Sequence, residues 1–358
     1  MGGIKLMEKS KRTIRETSVA VIGGAGFLGS HLVDHLIKDR GCEVLVLDNL
    51  INGRREFIYP EATFQWFDIT SSEESLLHVF KEHPVEYVFN YAAEPYIPVS
   101  FKRPLHVFNI NAFAVLKVMN AAQDAGVKGI LQVSSAEIYG KADGKIKESD
   151  YVIPHSSYGV SKVAADGFVQ VRWKEAKTPV IALRQFNCVG ENETHPYVIP
   201  EIITQLMAPW PDGLLRTVRL GNNSFRDFQY AGDAVRMAVE LLEKGEFGEV
   251  YNMGSEEGIQ IYDLAKLIGN LMNNQVEVIP DESRMRPWEI WHLQSDNSKL
   301  YSVIDTRPEV SLTEALRRTI AWFQTNPNIA EGLGSQSNRE HKQFLNVTRR
   351  SLVQGMNA

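Results

Sequence analysis

The 358-residue chain has only two cysteines, Cys42 and Cys188. Two thiols cannot form a disulfide framework, and they suit a reducing, cytoplasmic setting. No window approaches eighteen uninterrupted apolar residues, so no membrane-spanning helix is expected. Positive charge is in slight deficit, with 38 Lys plus Arg against 44 Asp plus Glu and a formal charge of −6. That leaves no basic field to hold nucleic acid or an anionic membrane surface. There is no G-x-S-x-G elbow, so an α/β-hydrolase is not supported. A nucleoside-triphosphate loop is excluded, because Ser30-His31 follows Gly29 where such a loop needs Lys and Ser or Thr. His31 and His35 stand one helical turn apart, but Leu32 occupies the position of a metalloprotease glutamate. They are expected to pack along a helix, and no metal site is expected.

Apolar residues at 44% and charged residues at 23% describe an ordinary globular chain. Residues 1–17 form a basic arm carrying Lys5, Lys9, Lys11, Arg12 and Arg15, without the apolar core of a secretory signal. Residues 326–358 form a polar tail. A faint helical pattern around Phe344, Leu345 and Leu352 is assigned no role.

Between these ends the periodicity alternates. Val19-Ala-Val-Ile-Gly23 reads as a buried strand, and Phe27, Leu28, Leu32 and Leu36 recur at helical spacing after it. Further strands are expected at 43–48, 63–67, 86–90, 129–133 and 179–186, with helices over 73–81, 104–125 and 157–175. Strands alternating with helices imply an α/β fold, a doubly wound parallel sheet of Rossmann type. From about residue 188 to 325 the loops lengthen around helices near 198–208, 231–243, 260–271 and 312–324. This part is expected to be mainly a smaller C-terminal substrate-binding lobe beside a cofactor-binding domain over 18–187.

Three local patterns carry chemistry. Gly23-Gly-Ala-Gly26-Phe27-Leu28-Gly29 sits at a strand-to-helix junction, where bare backbone and a helix N-terminus suit a pyrophosphate. Asp48 ends the next strand, placed to accept bonds from a ribose diol and to repel a 2′-phosphate, which favours NAD over NADP. Asp68-Ile69, after the third strand, is placed to meet an adenine edge. The second pattern is Tyr158-Gly-Val-Ser-Lys162. Its spacing puts phenol and ammonium on one helix face, where the cation favours phenolate. Such a phenol can take a proton from a sugar hydroxyl while a nicotinamide takes a hydride. The third is Ser135-Ala136-Glu137 past the fifth strand. Ser135 can bond the same hydroxyl, and Glu137 could abstract a proton alpha to a ketone. Trp288 and Trp291 flank Glu289 and could shield the nucleotide or fill core, of which core packing is the expectation.

Together, Gly23-x-x-Gly26-x-x-Gly29, Asp48-Asn49-Leu50-x-x-Gly53, Ser135-Ala136-x-x-Tyr139-Gly140 and Tyr158-x-x-x-Lys162 resemble the extended short-chain dehydrogenase/reductase superfamily. Within it the chain is similar to the nucleotide-sugar epimerases, dehydratases and decarboxylases, from about Ser18 to Gln324. The resemblance implies NAD as cofactor and a nucleotide-diphosphate sugar as substrate. It assigns the cofactor to the glycine loop with Phe27 and Leu28, to Asp48, Asn49, Asp68 and Ile69, to Ala92 and Ala93, and to Lys162. It assigns Tyr158, Lys162, Ser135 and Glu137 to catalysis. Ser135, Asn187, Arg226 and Arg286 would hold the substrate, the two arginines on its diphosphate.

The implied shared step is oxidation at C4 to a 4-keto sugar. A 4,6-dehydratase then removes the C5 proton, a 4-epimerase re-reduces the rotated ketone, and a decarboxylase loses a C6 carboxylate. Glu137 favours the dehydratase. Ala136, where family dehydratases carry a polar residue, and Asp48-Asn49-Leu50-x-x-Gly53 favour a UDP-glucose-type 4-epimerase. A non-catalytic dinucleotide sensor would have no need of Ser135, Tyr158 and Lys162 together. The resemblance also implies a homodimer through the helices at 104–125 and 157–175.

Overall fold

The computed structural model describes residues 12–140, 143–194, 196–210, 215–286 and 288–327. Most of the basic arm, and the tail from 328 with its Phe344, Leu345 and Leu352 pattern, lie outside the described residues. In chain order the first half runs β1 (Ser18–Ile22), α1 (Phe27–Lys38), β2 (Glu43–Asp48), β3 (Thr63–Trp66), α2 (Glu73–Glu82), β4 (Tyr87–Asn90), α3 (Ile97–Lys102), α4 (Pro104–Phe108), α5 (Ala114–Asp124), β5 (Gly129–Ser135), β6 (Lys145–Ile146) and α6 (Ser157–Ala176). The second half runs β7 (Val180–Gln185), β8 (Asn187–Val189), α7 (Val198–Met207), β9 (Arg216–Leu220), β10 (Phe225–Tyr230), α8 (Ala231–Lys244), β11 (Val250–Met253), β12 (Gly258–Gln260), α9 (Ile261–Leu271), β13 (Val276–Pro280), β14 (His292–Ser295), α10 (Ser298–Tyr301) and α11 (Leu312–Thr325).

Seven strands form one parallel sheet in the order β11-β7-β5-β4-β1-β2-β3. The order reverses between β1 and β4, and ligands sit at such a switch point. The near-continuous apolar strands follow from covering both faces. On one face Val19, Val21, Val46 and Leu131 pack under α1 and α8; on the other Ala20, Leu45, Val88 and Ile130 pack under α2, α5 and α6. A second core, built on Ile199, Ile203, Phe228, Leu264 and Phe323, holds the smaller lobe.

The domain boundary expected at 187 is not a single cut. After β8 enters the lobe by pairing with β10, α8 returns to lie against α1, and β11 closes the large sheet beside β7. The reason lies in the sequence of α8. Ala234, Val235, Ala238, Leu241 and Leu242 give an apolar face that the open face of the large sheet buries.

The run Pro104–Asp124 has the length, 21 residues, and the mean hydropathy, 1.2, of a membrane span, but half of it is buried inside the protein. It belongs to the core on the α5 side of the sheet, interrupted by a wider turn at Asn109–Phe113. His31 and His35 lie along α1: His31 Nε2 is 2.9 Å from the Glu191 carbonyl oxygen and His35 Nδ1 is 2.8 Å from Asp39. Among the described residues no group of three His, Cys, Asp or Glu could hold a metal. Trp288 and Trp291 do not fill core; they are 71% and 62% exposed. They sit on an irregular segment, where no helical or strand period says which side faces inward.

Candidate active site

A crevice of about 1410 Å³ opens at the carboxyl ends of the sheet strands and runs under the smaller lobe. It gathers every site residue expected from the sequence: the glycine loop, Asp48, Asn49, Asp68, Ile69, Ala92, Ala93, Ser135, Glu137, Tyr158, Lys162, Asn187, Arg226 and Arg286.

One end is shaped for a dinucleotide. Gly23 has φ +81°, and a Cβ there would stand 2.7 Å from the Ala92 nitrogen. A Cβ on Gly29 would stand 2.1 Å from the Gly23 carbonyl oxygen. Only bare backbone lets the loop fold this tightly onto α1. No side chain caps α1, so its first-turn amides remain available to an anion. Asp48 does more than the sequence suggests. Its Oδ2 accepts from the Ala25 amide (3.0 Å) and its Oδ1 from the Leu50 amide (2.8 Å), tying the glycine loop to the turn after β2. A carboxylate has about four acceptor sites, so two remain for a ribose diol. Burial pushes the Asp48 carboxyl up, with the two amides working against it. Asp68 accepts from Asn49 Nδ2 (3.1 Å) and from Thr70 N (2.8 Å). Burial opposes its ionisation, yet the Thr70 and Asn49 hydrogen bonds hold it below the usual carboxylate range. These features fit NAD: a cradle without side chains, an uncapped helix start and a carboxylate at the end of β2.

The middle of the crevice holds the proton-handling group. Ser156 caps α6, its hydroxyl accepting from the Gly159 amide at 3.0 Å. The cap fixes Tyr158 in the first turn and puts Lys162 one turn on. Ser135 at the end of β5 accepts from the Glu137 amide at 3.2 Å and is hydrogen-bonded to Tyr158. Lys162 donates to the Val133 carbonyl at 3.2 Å, with its Nζ 5.8 Å from the centre of the Tyr158 ring. The sequence leads one to expect Lys162 to lower the phenol. Here burial dominates and pushes Tyr158 well up, reinforced by Glu137 and Glu94 and opposed by the Ser135 hydrogen bond. Burial also pulls Lys162 down to about 8, with Asp166 pulling the other way. Asp166 itself is paired with Arg184 at 2.7 Å, behind the lysine.

At the far end, Asn187 on β8 lines the crevice, and its Oδ1 has no hydrogen-bond partner among the described residues. Arg226 on β10 is 5% exposed and paired with Glu289, and it lies within electrostatic reach of Glu137. Arg286 lines the crevice, and its backbone amide donates to Asn222 Oδ1 at 2.7 Å. The structure adds residues that sequence reading passed over: Glu94, Glu193 and Tyr197. Glu94 follows Ala92-Ala93, and Glu193 comes three residues after Gly190. Both stand on irregular segments, so no periodicity marks them.

A nucleotide cradle opening onto a serine–tyrosine–lysine group defines a Rossmann-type enzyme that oxidises and reduces a bound alcohol. Comparison with known proteins narrows this. Residues 20–319 match the family model described as GDP-mannose 4,6 dehydratase, and the chain belongs to that family of extended short-chain nucleotide-sugar enzymes. It is 29% identical to dTDP-D-glucose 4,6-dehydratase of Mus musculus, over 86% of this chain and 89% of that one. It is 28% identical to UDP-glucose 4-epimerase of Lacticaseibacillus casei, over 89% of this chain and all of that one (100%). The structure of DesIV, a dTDP-glucose 4,6-dehydratase of Streptomyces venezuelae solved with NAD, superposes with a TM-score of 0.79 at 26% identity, covering 88% and 99% of the two chains. The family thus holds both 4,6-dehydratases and 4-epimerases of nucleotide sugars.

Proposed function

We propose that this protein is an NAD-dependent nucleotide-sugar 4,6-dehydratase. The observation that carries this is Glu137, a carboxylate lining the same crevice as Tyr158 and within electrostatic reach of both that phenol and Arg226. The glycine loop, Asp48, Asn49, Asp68, Ile69, Ala92, Ala93 and Lys162 hold NAD. When bound, NAD would supply the two-electron acceptor and a positive charge to the crevice that Tyr158 lines. Ser135 and Tyr158 bind the C4 hydroxyl, and Tyr158 removes its proton. A cation near the phenol offsets the burial that keeps it neutral in this structure. Glu137 takes the C5 proton, acidified by the neighbouring ketone. Asn187 and Arg286 orient the sugar nucleotide, and Arg226 turns its remaining donors to the diphosphate.

The test is turnover in D2O with dTDP-glucose, UDP-glucose and GDP-mannose, read by NMR. A 4-keto-6-deoxy product labelled at C5 is expected. Product epimerised at C4 without C5 label overturns the reading in favour of the 4-epimerase, which the methyl of Ala136 beside the base favours.

The proposal includes a homodimer in a reducing cytoplasm. Cys42 and Cys188 are both free. Leu105, Phe113, Val160 and Val171 leave an apolar surface exposed along α4, the following turn and α6, which pack against one another.

A further inference from the structure

A dehydratase of this kind needs an acid as well as a base, and Ala136, next to the base, offers only a methyl group. We propose that Glu193 is the proton donor that releases the C6 hydroxyl of the sugar as water; this rests on the dehydratase reading above.

The carboxyls lining the crevice divide by what they already do. Asp48 and Asp68 are tied to the turn after β2 and to Thr70 at the dinucleotide end. Glu201 and Asp281 pair with Arg284, and Glu289 pairs with Arg226. Glu94 accepts from the Tyr96 amide at 3.2 Å, and its backbone is bonded in both directions to Asn111. Glu137 is the base. Glu193 alone in this set is left without employment. It is 4% exposed, lines the crevice, and its Oε2 has no hydrogen-bond partner among the described residues.

Burying an ionised carboxylate without a cation or donor is prohibitive, so such a group keeps its proton. Burial accordingly pushes Glu193 well up, with no charged partner among the described residues opposing it. Its place suits the task. Tyr197, on the same segment, lies within electrostatic reach of Tyr158, Glu94 and Glu193, which puts Glu193 at the phenol end of the crevice. One crevice thus holds two carboxyls that the proposal gives different tasks, Glu137 as base and the buried Glu193 as acid.

The step balances. Glu137 takes the C5 proton, and the C5–H electron pair becomes the C5=C6 bond. The C6–O bond breaks and its oxygen leaves with the Glu193 proton as water. The two electrons removed at C4 return at C6, and Glu137 returns a proton to C5. The proton Tyr158 took from the C4 hydroxyl balances the one that Glu193 must recover from solvent.

The experiment pairs wild type with Glu193→Gln, which keeps size and polarity but has no proton to give. Both are incubated with dTDP-glucose, UDP-glucose and GDP-mannose in D2O. The variant is expected to exchange the C5 hydrogen but to form 6-deoxy product at least ~100-fold more slowly, the lower end of general-acid contributions. A second readout needs no turnover. The infrared spectrum of wild type minus variant, without substrate at neutral pH, should show the carbonyl band of one protonated carboxylic acid. Glu193→Ala gives the same two readings if the Gln protein does not fold. Elimination by the variant within a few-fold of wild type, or absence of the infrared band, overturns the role of Glu193. Absence of C5 label in wild type instead overturns the dehydratase reading, and the acid falls with it.

Discussion

Replacing Lys162 by Met tests the energetics of the site without any substrate. The ammonium is 2% exposed and bonded to the Val133 carbonyl, with Asp166 as its nearest compensation. Burial outweighs that compensation and lowers its pKa from 10.5 to about 8. At about 1.4 kcal/mol per unit, holding the proton in the folded state costs on the order of 3 kcal/mol. The sign follows from proton counting. Below about pH 8 folded and unfolded chains both carry the proton, and the cost is fully present. Above it the folded state releases the proton while the unfolded chain keeps it, so stability rises with pH. Methionine keeps the unbranched stem and titrates nothing. Urea unfolding of both proteins, free of cofactor, gives the difference directly. Wild type minus Lys162→Met should climb between about pH 8 and pH 10, with a slope approaching 1.4 kcal/mol per unit. The climb levels off near the ordinary lysine value of 10.5, where the unfolded chain releases the same proton, and phenols common to both proteins largely cancel in the difference. A flat difference across that window, or a falling one, would refute the claim that burial governs this lysine.

Other outcomes follow from the same geometry. Glu137→Gln should abolish C5 deuterium incorporation while leaving C4 oxidation detectable as pyridine-nucleotide absorbance; retained C5 label would place the base elsewhere. Gly29→Val puts a side chain where a Cβ already meets the Gly23 carbonyl at 2.1 Å, so the purified protein should lose NAD retention, and stoichiometric NAD in the variant would contradict the cradle. Arg184→Met leaves Asp166 buried without its partner; the expected loss is about 3–5 kcal/mol by urea titration, and a loss below ~1 kcal/mol would show the pair to be unimportant. Phe113→Asp puts a charge on the exposed apolar face of the α4–α6 layer and should turn a dimer into a monomer by light scattering, whereas a wild-type monomer rules the dimer out.

How far the sequence carries depends on which residues obey a local period. The inner strands of the large sheet are covered on both faces and read as apolar runs, unlike the edge strand β3 with its exposed Trp66, and the glycine loop announces itself because only bare backbone closes so tightly. Tyr158 and Lys162 share a face by helical arithmetic alone. The return of α8 and β11 to the first sheet is not legible in that way. An apolar helix face looks the same whichever sheet it covers, and only long-range pairing decides. Trp288 and Trp291 fail for the complementary reason, since hydrophobicity without an element to carry it does not say which side faces inward.

The electrostatics of the site are the least local property of all. Tyr158 and Lys162 suggest a lowered phenol when considered as a pair, because a cation one turn away is the only partner the spacing supplies. Folding adds what spacing omits: near-complete burial, a serine from β5, and carboxylates from two separate loops. The lysine is itself desolvated, and its charge is directed to the Val133 carbonyl and Asp166 rather than spent on the phenol. The folded protein without cofactor is therefore poised with a neutral phenol. On the proposed function, a further cation entering the crevice would favour the phenolate and so tie proton removal to an occupied dinucleotide cradle. Glu193 obeys the same logic in reverse. Nothing on its own segment marks it as an acid, and the proposed role rests on its burial without a charged partner among the described residues.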